Sequence, residues 1–434
     1  RDEAYTICCE VMSQLDETIP STIDNKKLLA MVQETSNALR KMSDKDLLQM
    51  KEMTGPLLFT LKFYSLVMCI AFWKQPHIMA FLGCRMISIS LEHGVCEDTV
   101  YGMVLYSAVL CQQCKLVSDI REACRVGNIG MSMLKRWVDS SDILPKVTHC
   151  YYGFVALHTL PLQECSDNLR KGFEVGMSSG DSAVNAFYNS MHLSRIALLS
   201  GENLSAILKE IDYHLEVMMR FCNKVSMPHV QAYRETISIL IDKGESTGPN
   251  PKRNYACPYI PSRIEKMDSN SIYALRNKEN VYINRTMQSF WLGYSQRCYH
   301  YATKALEMQF LGRHNRCLIL FYAALNAFRG VKNTNGNGSQ FTKLRALYKD
   351  AMLALRTAKE LSPWNFSNKV HILEAEMYSF ERKGKDAISS YAAAITSSRS
   401  SNYVHEEGLA CELAGLHYKK TSQTALDFFQ RAKE

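Results

Sequence analysis

Between Trp364 and Glu434 small and aromatic residues recur at helical spacing, and this recurrence narrows what the chain can fold into. Ala375, Tyr378, Ala387, Tyr391 and Ala394 read as two antiparallel helices drawn together by alanines and locked by tyrosines. After a Ser-rich connector the pattern returns as Leu413, Ala414, Tyr418, Ala425, Phe429 and Ala432. A helix pair of this kind cannot bury its apolar face alone, so recurrence predicts stacked neighbours rather than a compact enzyme core. Ala387 and Ala425 stand 38 positions apart, more than the roughly 34 of a tetratricopeptide repeat. The ladder therefore reads as the divergent end of a larger helical array, with these eleven residues as its packing positions.

The same periodicity runs back to the start. Ile7, Val11 and Leu15 mark a first helix that Pro20 ends, and Ser21 and Asp24 offer caps for a second helix. Ser43-Asp44 cap a third, and brief breaks at Gly, Pro or Ser/Asp pairs then recur along the chain. Leu57 to Trp73 is apolar apart from Lys62 and a few hydroxyl residues. It is shorter than the roughly 20 residues a bilayer requires, so it reads as a buried helix and no membrane span is expected. Val147 to Leu157, with Tyr151, Tyr152, Phe154 and Val155, has some strand character, but its helical neighbours favour helix. Few prolines (11) and glycines (21) punctuate the 434 residues, which disfavours an all-β fold. The expectation is an all-α protein: antiparallel helix pairs stacked as a TPR-like α-solenoid, without substantial sheet.

One stretch breaks the pattern. Gly244 to Pro261 gathers four prolines and two glycines, and from Lys243 to Arg285 eight Lys/Arg stand against four Asp/Glu. Helices are expected to resume near Tyr282 and to break again at the Asn/Gly-rich stretch Lys332 to Ser339. The sequence thus divides into an N-terminal helical block (1–242), a basic Pro-rich connector (243–282) and a C-terminal TPR-like block (283–434). Lys252, Arg253 and Arg263 alternate with Tyr255 and Tyr259, a mixture able to hold phosphates and stack on bases. Single-strand binders place it on a sheet or in a groove, so a solvated spacer is favoured over nucleic-acid contact. A net charge of +8 does not by itself demand an anionic partner.

Catalytic motifs are weak. Gly176-Met177-Ser178-Ser179-Gly180 matches the G-x-S-x-G of hydrolase elbows, yet it follows what reads as a helix, where the elbow needs a strand. Cys111-Gln112-Gln113-Cys114 has the spacing of half a zinc site, with no second half at a workable distance. No phosphate-loop, dinucleotide or H-E-x-x-H pattern occurs, and histidines such as His192 and His371 are scattered. No catalytic residue, cofactor, metal or small-molecule substrate is therefore expected. Fifteen cysteines, an odd number, sit largely in apolar helical runs, as Cys69, Cys84, Cys111 and Cys124 do. With no signal peptide, they point to reduced thiols and a cytoplasmic setting. A chain opening on Arg1 reads as a piece of a longer polypeptide.

Several stretches together resemble a known family. They are Ser43-Asp44 through Phe72, Cys84-Arg85-Met86-Ile87-Ser88-Ile89-Ser90-Leu91-Glu92-His93-Gly94, and Phe173-Glu174-Val175-Gly176-Met177-Ser178-Ser179-Gly180-Asp181. Pro363-Trp364-Asn365-Phe366, Leu373-Glu374-Ala375-Glu376 and Glu406-Glu407-Gly408-Leu409-Ala410-Cys411-Glu412-Leu413-Ala414 complete the set. The combination is similar to the helical region of very large signalling ATPases. There a Ser/Thr kinase-like domain and an AAA/STAND-type ATPase precede the helices, and GAF and histidine kinase or other output modules follow. The resemblance implies a non-enzymatic regulatory or scaffold array working through protein or interdomain contacts in signal transduction, and it transfers no catalytic residue. Two other functions stay open at this level: a hydrolase-like enzyme using Ser178 or a thiol between the two blocks, and nucleic-acid binding through the connector.

Overall fold

The computed structural model describes residues 2–20, 22–74, 76–113, 116–137, 142–179, 183–244, 272–308, 311–334, 338–418 and 422–433. Among the described residues the chain is all-α, with no strand and one isolated parallel bridge between Glu52 and Val95. The chain separates into two compact units, residues 1–156 with 168–189 and residues 157–167 with 190–434. The second unit takes in both sides of the expected 243–282 connector. No described helix is long and apolar enough to cross a membrane.

Unit 1 opens with α1 (Asp2–Gln14), α2 (Asn25–Arg40) and α3 (Asp44–Leu48). It continues through α4 (Leu57–Lys74), α5 (Pro76–His93), α6 (Glu97–Gln113), α7 (Val117–Met133) and α8 (Leu144–Cys150). Helix α1 stops well before Pro20, at a turn where Asp16 takes the left-handed φ of 59° that Asp tolerates. Ser43 and Asp46 close a reciprocal capping box on α3. From α4 to α7 each helix packs on its successor. Helices α5 and α6 approach so closely that a Cβ on Gly102 would lie 2.9 Å from that of Met86. Helix α4 buries Leu61, Tyr64, Val67, Met68 and Ala71. Its Tyr64 hydroxyl and Arg85 of α5 both hold the Glu17 carboxylate. The aromatic run after α8 is helical: Tyr151–Val155 forms a π-turn and Ala156–His158 a 3-10 turn. Its bulky side chains lie over Gly127 of α7, where there is no side chain to oppose them.

The next two helices, α9 (Leu162–Ser178) and α10 (Ala183–Ser200), contribute residues to both units. Unit 2 continues with α11 (Leu204–Arg220), α12 (Met227–Gly244), α13 (Ile272–Trp291), α14 (Ser295–Leu306), α15 (Arg313–Thr334) and α16 (Gly338–Lys359). It ends with α17 (Pro363–Phe380), α18 (Gly384–Ser400), α19 (Val404–His417) and α20 (Gln423–Lys433). From α13 onward consecutive helices pack as antiparallel neighbours, and α13 also touches α15, α15 touches α17, and α17 touches α19. That pattern makes two layers. The inner helices α13 and α15 are enclosed along nearly their whole length, while α14 and α16 alternate between buried and exposed positions. Helix α13 begins ten residues before Tyr282 and carries Arg276, Lys278 and Arg285. Their polarity hides the helix from an apolar-periodicity reading, because the face they occupy is turned inward. Lys252, Arg253 and Arg263 lie outside the described residues.

Unit 2 also contains contacts that simple nearest-neighbour stacking would not supply. The Asn365 side chain, at the start of α17, accepts from the Leu162 amide at 3.3 Å and donates to the Leu160 carbonyl at 2.8 Å. Gln163 donates both to the Ser200 carbonyl and to the Ser401 carbonyl. Gly201 adopts φ +85°, and a Cβ there would lie 2.9 Å from the Asn402 carbonyl oxygen. The first segments of the unit thus meet its α17–α19 region.

In the C-terminal ladder Ala375, Ala387, Tyr391, Ala394, Ala414 and Ala425 are buried, and Leu413 nearly so. Tyr378, Tyr418, Phe429 and Ala432 are partly exposed. The Tyr391 hydroxyl donates to buried Glu376 at 2.5 Å, and Gly415 leaves room for the ring of Phe429. Enlarging a buried alanine at such a contact forces neighbours apart, at a cost of about 1–3 kcal/mol. Ala394→Leu should lower the urea-unfolding midpoint accordingly, whereas Ala392→Leu, on the exposed face of α18, should leave it within about 0.5 kcal/mol. Equal effects would mean the ladder alanines are not packing positions.

Candidate functional site

Helix α13 carries an unusual load for an enclosed helix: Asn277, Lys278, Glu279, Asn280, Asn284, Thr286, Gln288 and Ser289 are all buried. Buried polar groups require partners, since each one left unmade costs about 1–3 kcal/mol. Around α13 stand others of the same kind. They include His229 and Tyr233 on α12 and His314 and Asn315 on α15; His158 in the 3-10 turn and Asn365, Asn368 and Lys369 on α17 are buried elsewhere in the same unit. Arg195 of α10 is the electrostatic centre, its charge reaching His158, His229, Tyr233, Glu279 and His314.

One half of this interior is satisfied. Lys369 Nζ lies 2.7 Å from Glu406 Oε1, donates to the Asn365 carbonyl at 2.9 Å, and sits 4.6 Å from the ring centre of Tyr403. Asn368 also donates to Glu406, and the Tyr403 hydroxyl donates to Asn365 Oδ1 at 2.6 Å. Burial alone would raise the Glu406 carboxyl, but Lys369 and His405 beside it outweigh burial and hold it below the usual range. This is a pair whose hydrogen bonds balance its desolvation.

The other half is not satisfied. His158 Nε2, both ring nitrogens of His314, and the Oδ1 atoms of Asn284 and Asn315 are buried without a hydrogen-bond partner in the protein. The Asn284 amide nitrogen is committed to the carbonyl of Asn280 at 2.9 Å. Burial, reinforced by Arg313 and Arg195, drives His158 down to about 3. Burial with Arg276 and Arg195 does the same to His229, and burial with Arg195, His158 and Lys369 holds His314 well below its ordinary value. All three are neutral imidazoles near neutrality. Glu279 moves the other way, raised by burial to about 7 although Arg276 and Arg195 pull it down. Arg195 and Arg276 are desolvated enough for their own values to fall, yet each keeps part of its side chain accessible.

Other sequence candidates stand apart from these buried polar groups. Ser178 is exposed at the end of α9, its hydroxyl donating to the Val175 carbonyl at 2.9 Å, so a helix precedes it where an elbow would need a strand. Cys111 is buried, with Sγ 4.0 Å from that of Cys124, and Cys114 lies outside the described residues. Burial raises the thiols of Cys84 and Cys317 to about 11, which leaves them protonated and unreactive. No group of three metal-ligating side chains occurs among the described residues. His371 pairs with Glu374 at 3.4 Å, and His192 is buried. Sequence reasoning passed over His158, Arg195, Glu279, Asn284, His314 and Asn315. The available signal was the Asn280/Asn284 spacing and the His314-Asn315 pair within otherwise helical runs.

Two tests follow from these environments. Lys369→Met strands the Glu406 carboxylate and should cost about 3–5 kcal/mol in urea unfolding, with the double variant Lys369→Met/Glu406→Leu recovering much of it. The depressed histidines make stability fall with acidification. Below about pH 6.5 the unfolded chain takes up protons that folded His158 and His229 refuse until about pH 3. Glu279 opposes them with one proton between about 7 and its unfolded value. His158→Phe should therefore flatten the loss of stability between pH 6 and 4 by up to about 1.4 kcal/mol per pH unit; an unchanged slope would contradict a buried neutral His158.

No family model matches the chain, and no curated protein matches it. Among solved structures it is similar to the apo form of the quorum sensor NprR from B. thuringiensis, at 13% sequence identity and a TM-score of 0.49, over 87% of this chain and 99% of that one. No chemistry of that protein is carried over on this likeness.

Proposed function

We propose that the chain is a non-enzymatic helical-repeat regulatory segment that docks an extended stretch of polypeptide, from a flanking domain or a separate protein, along the inner helices of unit 2. In the setting its sequence resemblance implies, it would relay between an AAA/STAND-type ATPase switch and an output module of a multidomain signalling protein. The observation that carries the reading is the pair of buried amide oxygens, Asn284 Oδ1 on α13 and Asn315 Oδ1 on the adjacent inner helix α15. A polypeptide backbone offers the N–H donors such oxygens lack, and a face formed by successive inner helices suits a linear ligand. A hydrolase reading finds a helix before Ser178 where an elbow needs a strand, and Lys252, Arg253 and Arg263 lie outside the described residues. Cys111 and Cys124 lie with their Sγ atoms 4.0 Å apart and form no disulfide, which fits a reducing, cytoplasmic compartment.

Peptide display against the 434-residue chain tests the proposal. Selected peptides should bind the wild type and lose about tenfold in affinity for Asn284→Ala or Asn315→Ala, equivalent to about 1.4 kcal/mol. If display yields no binder, or if both variants bind the selected peptides as well as the wild type does, the docking face is not the inner row of unit 2.

A further inference from the structure

We propose that Cys111 and Cys124 are a disulfide-forming pair, a covalent modification site that staples α6 to α7 when the protein meets a hydroperoxide. The pair lies in unit 1 and is independent of polypeptide docking in unit 2. Two glycines of α7 bring the backbones of the two helices together. A Cβ on Gly130 would lie 3.3 Å from that of Met103, and a Cβ on Gly127 would lie 3.4 Å from that of Ser107. These facing positions follow one antiparallel register, a turn up α6 for each turn down α7. The next step of that register sets Cys111 opposite Cys124, and their Sγ atoms lie 4.0 Å apart. Both side chains are buried, and neither cysteine is in a disulfide. A disulfide needs Cβ atoms about 3.5–4.5 Å apart, and the glycine contacts show that α6 and α7 approach that closely. Closing the sulfur contact to a bond is then a matter of side-chain rotation, with both helices in place.

The oxidant is a hydroperoxide, with hydrogen peroxide as the simplest case. One thiol takes an oxygen atom from the cleaved O–O bond, giving a sulfenic acid and one water. The sulfur of the second thiol then attacks the sulfenic sulfur, forming the S–S bond and releasing a second water. Two thiols and one peroxide thus give one disulfide and two waters, and a dithiol reductant returns both thiols while closing to its own disulfide. Burial slows the first step, but Cys111 stands two residues from the end of α6 at Gln113. The last turn of a helix opens at little cost, so peroxide reaches the pair without unfolding of unit 1. A second thiol already at contact distance captures the sulfenic acid faster than another peroxide can. The bond would fasten the helix that tethers the N-terminal segment, since Asp119 and Arg125 of α7 hold Arg40 of α2 and Asp44 of α3.

The test is oxidation of the folded 434-residue chain with hydrogen peroxide, at a dose that fully oxidises the exposed Cys222. Remaining thiols are then alkylated in denaturant, and the tryptic peptides are mapped by mass. The expected product joins Met86–Lys115 to Glu122–Arg125 with the loss of two hydrogens, and treatment with a dithiol reverses it. Cys96 and Cys114 share the first peptide with Cys111, so variants must place the bond. Cys111→Ala should abolish the link, whereas Cys96→Ala and Cys114→Ala should keep it. Amide exchange across residues 117–125 of α7 should slow several-fold in the linked chain and return to its former rate with the dithiol. Recovery of Cys111 and Cys124 as alkylated thiols at that dose, a link retained by Cys111→Ala, or amide exchange unchanged by the link overturns the proposal. The sulfur contact is then helix packing alone. Should Cys111→Ala fail to fold, fragmentation of the linked wild-type peptide, which places the bond at Cys96, Cys111 or Cys114, still decides.

Discussion

Asn365 is the residue on which unit 2 closes. Its amide is bonded to the backbone of residues 157–162 on one side and to Tyr403 on the other, while its own carbonyl receives Lys369. A short polar side chain can do this only from a position with no water to compete, and Asn365 is fully buried. Through it a helical stack whose members touch mainly their neighbours gains a contact across some 200 positions of sequence. Arg195, His158 and His314 come from α10, the 3-10 turn before α9, and α15.

The balance inside the unit follows from how each charge is matched. Lys369 and Glu406 are desolvated together and bonded to each other and to two asparagines or their backbone, so their burial is a structural arrangement. The Arg195 neighbourhood differs, with neutral histidines, a carboxyl raised by burial and amide oxygens without donors. Proteins rarely bury several such atoms without a use for them. The contrast within one unit separates a matched ion pair from a group of unmatched polar atoms.

The helical class was legible in sequence, because apolar and small residues at 3.6-residue spacing leave few alternatives; Ala375, Ala387 and Ala394 fall at buried positions of those helices. The cap at Ser43 and the helical state of Tyr151 to Val155 were legible too. The start of α13 was not legible. Arg276-Asn277-Lys278-Glu279-Asn280 has the composition of a solvated linker, and only the tertiary surroundings turn it into an inner helix. The buried polar groups around α13 were hidden for the same reason. Periodicity reports where apolar residues fall, and is silent on a face whose interior partners are themselves polar. The histidines gave no metal-ligand spacing because their positions along the chain, 158, 229 and 314, are joined only by the fold.

The Asn365 junction also sets an order of events. Residues 157–162 leave the ribosome long before Asn365 and Tyr403 exist, and contacts of such separation form late because the intervening loop must first be ordered. Helices α4 to α7 of unit 1 can pack as they are synthesised, each on its predecessor. Unit 2 must wait with its arginines and histidines in water until α17 and α19 arrive. Its polar interior is tolerable in the meantime, since an unfinished inner face made of asparagine, arginine and histidine exposes less apolar surface to aggregation than one made of leucine. A polar lining thus serves the nascent chain before it serves any ligand.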